Sequence, residues 1–105
     1  MKTIDPWAAL GDPTRRGILA RVASRPSSVS AIAAELPVSR PAVSQHLQVL
    51  LQARLVDVRP QGRERIYEAR LEGLAELRGE LETFWRQALT NFKQVTETGY
   101  RRGKE

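Results

Sequence analysis

Residues Val38 to Ala53 read V-S-R-P-A-V-S-Q-H-L-Q-V-L-L-Q-A, and the reading of this stretch decides how the rest of the chain is understood. Ser39 is a strong helix N-cap, because its hydroxyl can accept from an orphan first-turn N–H. Pro41 follows at a position where a missing N–H costs nothing. At about 100° per residue, Val43, Leu47 and Leu50 share one face, with Leu51 beside them. Pro41, Gln45, Gln48 and Gln52 lie opposite, and Ser44 stands at the margin. The free face is built of Arg, Ser and Gln, and the helix holds no acid. Arginine can pair bidentately with guanine and glutamine with adenine, and an acid-free surface approaches phosphates without repulsion. The stretch therefore reads as a DNA recognition helix. Taken alone it also fits an ordinary amphipathic helix with a solvated polar face, so the flanking segments must decide.

Upstream, Ile4 to Leu10 suggest a short helix or turn presenting Trp7 and Leu10, broken by Gly11. Asp12-Pro13 restarts a helix with an N-cap acid and a proline at the first helical position. In that helix Ile18, Leu19 and Val22 fall inward and Arg15, Arg16 and Arg21 outward, until Arg25-Pro26 ends it. Ser27-Ser28 caps a further helix whose Val29, Ile32, Ala33 and Leu36 form an apolar stripe. Pro37-Val38 is a tight connection. Two short helices in this order, the second polar on its free face, make a helix-turn-helix.

Downstream the period changes. Leu55 to Arg59 and Arg65 to Ala69 are alternating, β-branched or aromatic, and Pro60-Gln61-Gly62-Arg63 supplies a turn. A basic hairpin directly after a helix-turn-helix is the wing of a winged helix, although a merely solvated hairpin has the same pattern. From Glu72 to about Thr98 a long helical stripe follows: Leu74, Leu77, Leu81, Phe84, Ala88, Phe92 and Val95, broadened by Trp85 and Leu89. Such a helix spans about 40 Å, more than so small a domain can cover, so its apolar face is expected to meet a second copy of the chain. The tail from Gly99 to Glu105 is expected to fray.

Composition narrows the function classes. The 105 residues are 41% hydrophobic and 28% charged, as in one small globular domain. No apolar run approaches a membrane span, and the N-terminus lacks the apolar core of a signal peptide, so a cytoplasmic protein is expected. There is no cysteine, which removes disulfides and thiolate metal sites. The net charge of +5 is concentrated: nine arginines meet three acids between Arg15 and Arg65, whereas bases and acids balance from Ile66 onward. That is the footprint of a polyanion partner. The one histidine, His46, lies about 60° from Val43 on the recognition helix; a structural or phosphate-bonding role suits it, since a metal needs further ligands. Ser44 and His46, two apart on a helix, do not face each other, and no enzyme is legible.

With these elements in order, the sequence resembles the ArsR/SmtB family of bacterial winged-helix repressors. The resemblance is carried by A-L-G-D-P-T-R-R-G-I-L (Ala9 to Leu19), V-S-R-P-A-V-S-Q-H-L-Q-V-L (Val38 to Leu50) and R-P-Q-G-R-E-R-I-Y (Arg59 to Tyr67). Trp85, in F-W-R-Q-A-L-T-N-F-K, further resembles a metal-independent branch. The resemblance implies a homodimer joined through its terminal helices, binding an imperfect inverted repeat and repressing transcription, often of its own gene. Three departures stand out. Ser28 and Ser30 occupy the place of a metal-binding Cys-x-Cys pair, and the last helix has no histidine. Pro37 stands where many such turns carry glycine. Arg54 replaces the glycine that commonly ends the recognition helix.

The expectation is thus a mostly α fold with a small β-hairpin wing: one dimeric winged helix-turn-helix domain over residues 1–105, with residues 4–10 and 72–98 forming the dimer interface. The expected partners are double-stranded DNA and a second copy, with no membrane, cofactor or metal, and no inducer is legible. Arg40, Ser44 and Gln45 are expected at base edges, with Ser39, Pro41 and His46 in the same surface. Gln48, Arg15 and Arg16 are expected at phosphates, and Arg59, Arg63 and Arg65 contribute from the wing. Trp7, Leu10, Leu77, Leu81, Phe84, Trp85, Ala88 and Phe92 are the expected dimer contacts. A protein-interaction module using the basic face, and a non-specific nucleic-acid binder, remain the alternatives.

Overall fold

The computed structural model describes the backbone of residues 3–104 and the side chains of residues 3–96. The first helices are α1 (Pro6–Ala9), α2 (Pro13–Ser24), α3 (Val29–Glu35) and α4 (Arg40–Gln52). Each begins at a side-chain cap. Asp5 accepts from the Ala8 N–H, Asp12 from those of Thr14 and Arg15, Ser28 from Ala31, and Ser39 from Ala42. Leu36, preceding a proline, is extended and ends α3.

The connection from α3 to α4 answers the question raised by Pro37. The Val38 N–H donates to the Leu36 carbonyl at 2.7 Å, so the chain reverses in a three-residue turn centred on Pro37. Among the described residues, only Arg54 and Gly62 have left-handed backbone. The turn therefore needs no glycine.

The end of α4 is where the left-handed residue falls. Arg54 has φ 61°; its N–H donates to the Leu51 carbonyl, and that of Leu55 to the Leu50 carbonyl, both at 3.0 Å. This is a complete Schellman motif, with the apolar pair Leu50 and Leu55 fully buried behind it.

Strands β1 (Val56–Gln61) and β2 (Glu64–Ala69) pair antiparallel, in a register running from Val56 opposite Ala69 to Gln61 opposite Glu64. The turn is tighter than the four residues expected. Only Gly62 and Arg63 lie between the strands, with Gly62 at φ 63°, as in a two-residue hairpin with glycine first. Pro60 is accordingly a strand residue opposite Arg65; in a two-stranded sheet a proline can turn its nitrogen to the open edge. The other edge of β2 is bridged by Ser27, which exchanges both backbone hydrogen bonds with Tyr67 at 2.9 Å. The base of the wing is thereby tied to the residue preceding the α3 cap.

The core gathers where α2, α3, α4 and β1 meet. Ile18, Val22, Ile32, Val43, Leu47, Leu50, Leu55 and Val56 are all withdrawn from solvent, each contributing about 1.5–3 kcal/mol of burial. One expectation for α2 is corrected. Arg21 does not project freely outward: its Nε lies 2.6 Å from Glu35 Oε2 and its Nη2 2.9 Å from Oε1, and the side chain is only 12% exposed. Arg25 adds a second contact to the same carboxylate at 3.3 Å. This pairing ties α2 to α3.

Helix α5 (Leu71–Lys104) is longer than the stripe indicated. The tail expected to fray from Gly99 continues the helix, since a glycine weakens a helix by about 1 kcal/mol without ending it. The chain divides into two compact units, Met1–Ala75 and Glu76–Glu105. In the second unit Leu77 is buried, whereas Leu81, Phe84, Trp85, Leu89, Phe92 and Val95 are exposed. No helix among the described residues is long and apolar enough to cross a membrane.

Candidate nucleic-acid interface

Helix α4 is anchored on its inner face by Val43, Leu47 and Leu50, all fully buried. The opposite face is open: Ser39, Arg40, Pro41, Ser44, Gln45 and Gln48 are all exposed. This arrangement follows from the period of the apolar residues. With no acid on the helix, its surface can offer hydrogen-bond donors to an anionic partner without a repelling charge.

His46 stands at the boundary, half-buried, with Nδ1 3.5 Å from Arg15 Nη1. Arg15 is itself held in place. Its Nε donates to the Ala9 carbonyl at 2.8 Å, and its guanidinium lies 4.0 Å from the Asp12 carboxylate. Arg16 Nη1 donates to the Leu10 carbonyl at 2.6 Å. Both arginines therefore satisfy carbonyls at the end of α1, which a helix leaves without partners. The hydrogen bond from the Arg15 N–H, aided by that from Thr14 and by the Arg15 and His46 side chains, holds the Asp12 carboxyl below its usual range against an opposing push from partial desolvation.

The wing supplies three exposed arginines in different states. Arg59 is engaged, with Nη1 donating to Gln61 Oε1 at 3.0 Å and Nε lying 3.7 Å from Glu68. Arg63, at the tip, and Arg65, on β2, are not. Among the described residues Arg40, Arg54, Arg63 and Arg65 form no ion pair or side-chain hydrogen bond. The basic excess seen in the sequence thus resolves into arginines engaged within the chain (15, 16, 21, 25 and 59) and a free set near α4 and the wing.

Ser44, Arg63 and Arg65 are brought together in one polar cleft of about 350 Å³. Ser28, Ser30 and Tyr67 line the same cleft and were not singled out from the sequence as DNA-facing residues. Periodicity within single elements could not find them, because the cleft is made by the long-range Ser27–Tyr67 bridge.

Similarity to known proteins agrees with this geometry. A family model described as a helix-turn-helix domain matches residues 10–59. The chain is 52% identical over 92 residues to the HTH-type transcriptional regulator Rv2034 of Mycobacterium tuberculosis, covering 88% of this chain and 86% of that protein. The solved structure of an ArsR-like transcriptional regulator from Rhodococcus sp. RHA1 is 36% identical, covers 85% of this chain and 87% of its own, and has a TM-score of 0.67. A homodimeric winged helix-turn-helix DNA-binding domain, Mb0332 from Mycobacterium bovis, described as a possible ArsR-family regulator, is 27% identical. It covers 78% of this chain and 76% of its own, with a TM-score of 0.64. The resemblance read from the sequence is thereby established, and the protein is a DNA-binding transcriptional regulator rather than an enzyme. The chain belongs to the ArsR family of winged helix-turn-helix transcriptional regulators.

Proposed function

We propose that this protein represses transcription as a homodimer on an imperfect inverted repeat, one recognition helix to each half-site, without a metal effector. The observation that carries the reading is the acid-free outer face of α4, with Arg40, Ser44, Gln45 and Gln48 exposed beside the unpaired Arg63 and Arg65. Arg40 and Gln45 read base edges, Gln48 and Arg63 meet phosphates, and Arg15 and Arg16 act chiefly by holding α1. Dimerisation is supported by the exposed Leu81, Phe84, Trp85 and Phe92 of α5 and by Trp7, and by the homodimeric state of the M. bovis relative. Leu77, already buried, has little surface left to give. A metal effector is disfavoured by composition: the whole sequence offers no thiolate and a single imidazole, whereas zinc and softer ions take several such ligands.

A gel shift with the DNA upstream of the protein's own gene, competed by scrambled duplex, tests the reading. Specific competition by unlabelled upstream DNA, unaltered by zinc or arsenite, is expected. Equal competition by scrambled DNA would leave a non-specific binder, and no shift at all would favour a protein-interaction module.

A further inference from the structure

We propose that the cleft between α3, α4 and the wing is a seat for one phosphodiester group of the DNA backbone. The inference rests on the DNA-binding reading above and gives it a specific anchor. Four features carry it. First, Arg63 and Arg65 line the cleft and neither has an ion-pair partner among the described residues. Arg65 and Tyr67, two apart on β2, project to the same side of the hairpin, and Arg63 at the tip lines the same cleft. Second, the paired backbone bonds between Tyr67 and Ser27, each 2.9 Å, fix that side of the hairpin against the start of α3. The two guanidinium groups are thus brought to a wall that does not depend on DNA to form.

Third, hydroxyls complete the lining. Ser30 and Ser44 are exposed in the cleft, and Ser28, which accepts from the Ala31 N–H at 3.1 Å, keeps its own proton to donate. Guanidinium and hydroxyl donors around one void match the acceptor-only oxygens of a phosphate. Fourth, Glu64 is also in the lining. Two arginines against one carboxylate leave a single positive charge, which suits the monoanionic diester of a nucleic-acid backbone better than a dianionic phosphate monoester. Ser44 is then a phosphate ligand, not a base reader, and the seat sets the height of the wing relative to α4.

The test neutralises backbone phosphates one at a time with methylphosphonate in an upstream duplex, and measures binding by wild type, Arg65→Gln and Ser44→Ala. One position per half-site is expected to weaken wild type roughly tenfold. At that position, and no other, the same neutralisation should cost Arg65→Gln clearly less than wild type, because one of the two guanidinium donors of the seat is already gone. Arg65→Gln should also reduce the log–log salt slope by about one, with melting unchanged. On a random duplex, which fixes no register, Arg65→Gln should still show the shallower salt slope, since a phosphate seat reads no sequence, so loss of specificity alone would remove the functional reading and leave the seat standing. Strictly additive losses at every position, in a wild type that still binds specifically, would overturn the seat alone. No DNA binding of any kind would remove both. Nuclear magnetic resonance titration with dimethyl phosphate and with inorganic phosphate separates the sources. Shifts at Ser44 and Arg65 that favour the diester are expected, with Glu64→Gln erasing the preference. Tighter binding of inorganic phosphate by wild type would assign the cleft to a free phosphorylated ligand instead.

Discussion

Replacing Arg54 by glycine should make the protein more stable, and the size of the gain follows from one backbone angle. Arg54 sits at φ 61° between the last turn of α4 and β1, a conformation that brings a Cβ too close to its own carbonyl, costing roughly 1–2 kcal/mol for a residue other than glycine. The Schellman bonds at Arg54 and Leu55 and the buried pair Leu50 and Leu55 hold it there. Its carbonyl has no room to move either. It accepts from Arg70 Nη1 at 3.4 Å, and a Cβ built on Gly73 would collide with its oxygen. Glycine removes the steric cost but adds freedom to the unfolded chain, worth about 0.4–1 kcal/mol in the other direction. The net gain should be about 0.5–1 kcal/mol, or a few degrees in Tm. Arg54→Ala is the control, because it also removes the exposed guanidinium while keeping a Cβ. Urea unfolding of the three proteins at equal concentration, with unchanged m values, measures the difference. Arg54→Gly should exceed Arg54→Ala. Equal stabilities, or a less stable glycine variant, would refute the claim that α4 ends under backbone strain.

Three further outcomes are expected. Gln45→Ala should weaken operator binding by about 1–3 kcal/mol and leave random DNA nearly unaffected, read by parallel fluorescence-anisotropy titrations; equal losses on both would mean that Gln45 reads no base. Arg15→Gln should lower stability by about 1–3 kcal/mol through the stranded Ala9 carbonyl, which Arg15 now reaches at 2.8 Å. The salt slope of its DNA binding should match wild type, whereas a slope shallower by one would make Arg15 a phosphate contact. Asp12→Asn should keep the N-cap while removing its titration. Because the folded carboxyl is held below its usual value, its contribution is complete above that value and is lost as acid carries the pH down through the folded value. Melting curves of the variant should therefore fall less steeply than wild type below about pH 4, and parallel curves would deny Asp12 that role.

Much of this architecture was legible because local signals and the global fold agree. Ser39 with Pro41 announces where α4 begins, and the spacing of Val43, Leu47 and Leu50 identifies its buried face, all three being fully withdrawn from solvent. The hairpin was legible from Gly62, but its tightness was not, since Pro60 reads as a turn residue and is paired in β1. Side-chain destinations were the least legible. A helical wheel puts Arg15 and Arg21 outside, yet a guanidinium is long enough to fold back onto the Ala9 carbonyl or the Glu35 carboxylate. The cleft was illegible for a different reason: it depends on the bridge between Ser27 and Tyr67, forty residues apart, and no periodicity within one element encodes such a pairing. The end of α5 was illegible because a chain terminus is expected to fray whatever its local pattern, whereas the helix runs on to Lys104.

In the proposed complex, two copies of α4 read two half-sites on one face of the duplex, held at a fixed separation by the paired chains. Footprinting on the upstream DNA locates the half-sites, whose centres should lie about 34–36 Å, one helical turn, apart. The decisive measurement is the affinity for that duplex against one carrying about five extra base pairs between the half-sites, which turns one of them to the opposite face. The displaced duplex should bind no better than one with a single half-site. Equal affinity for the native and displaced spacings would contradict the account.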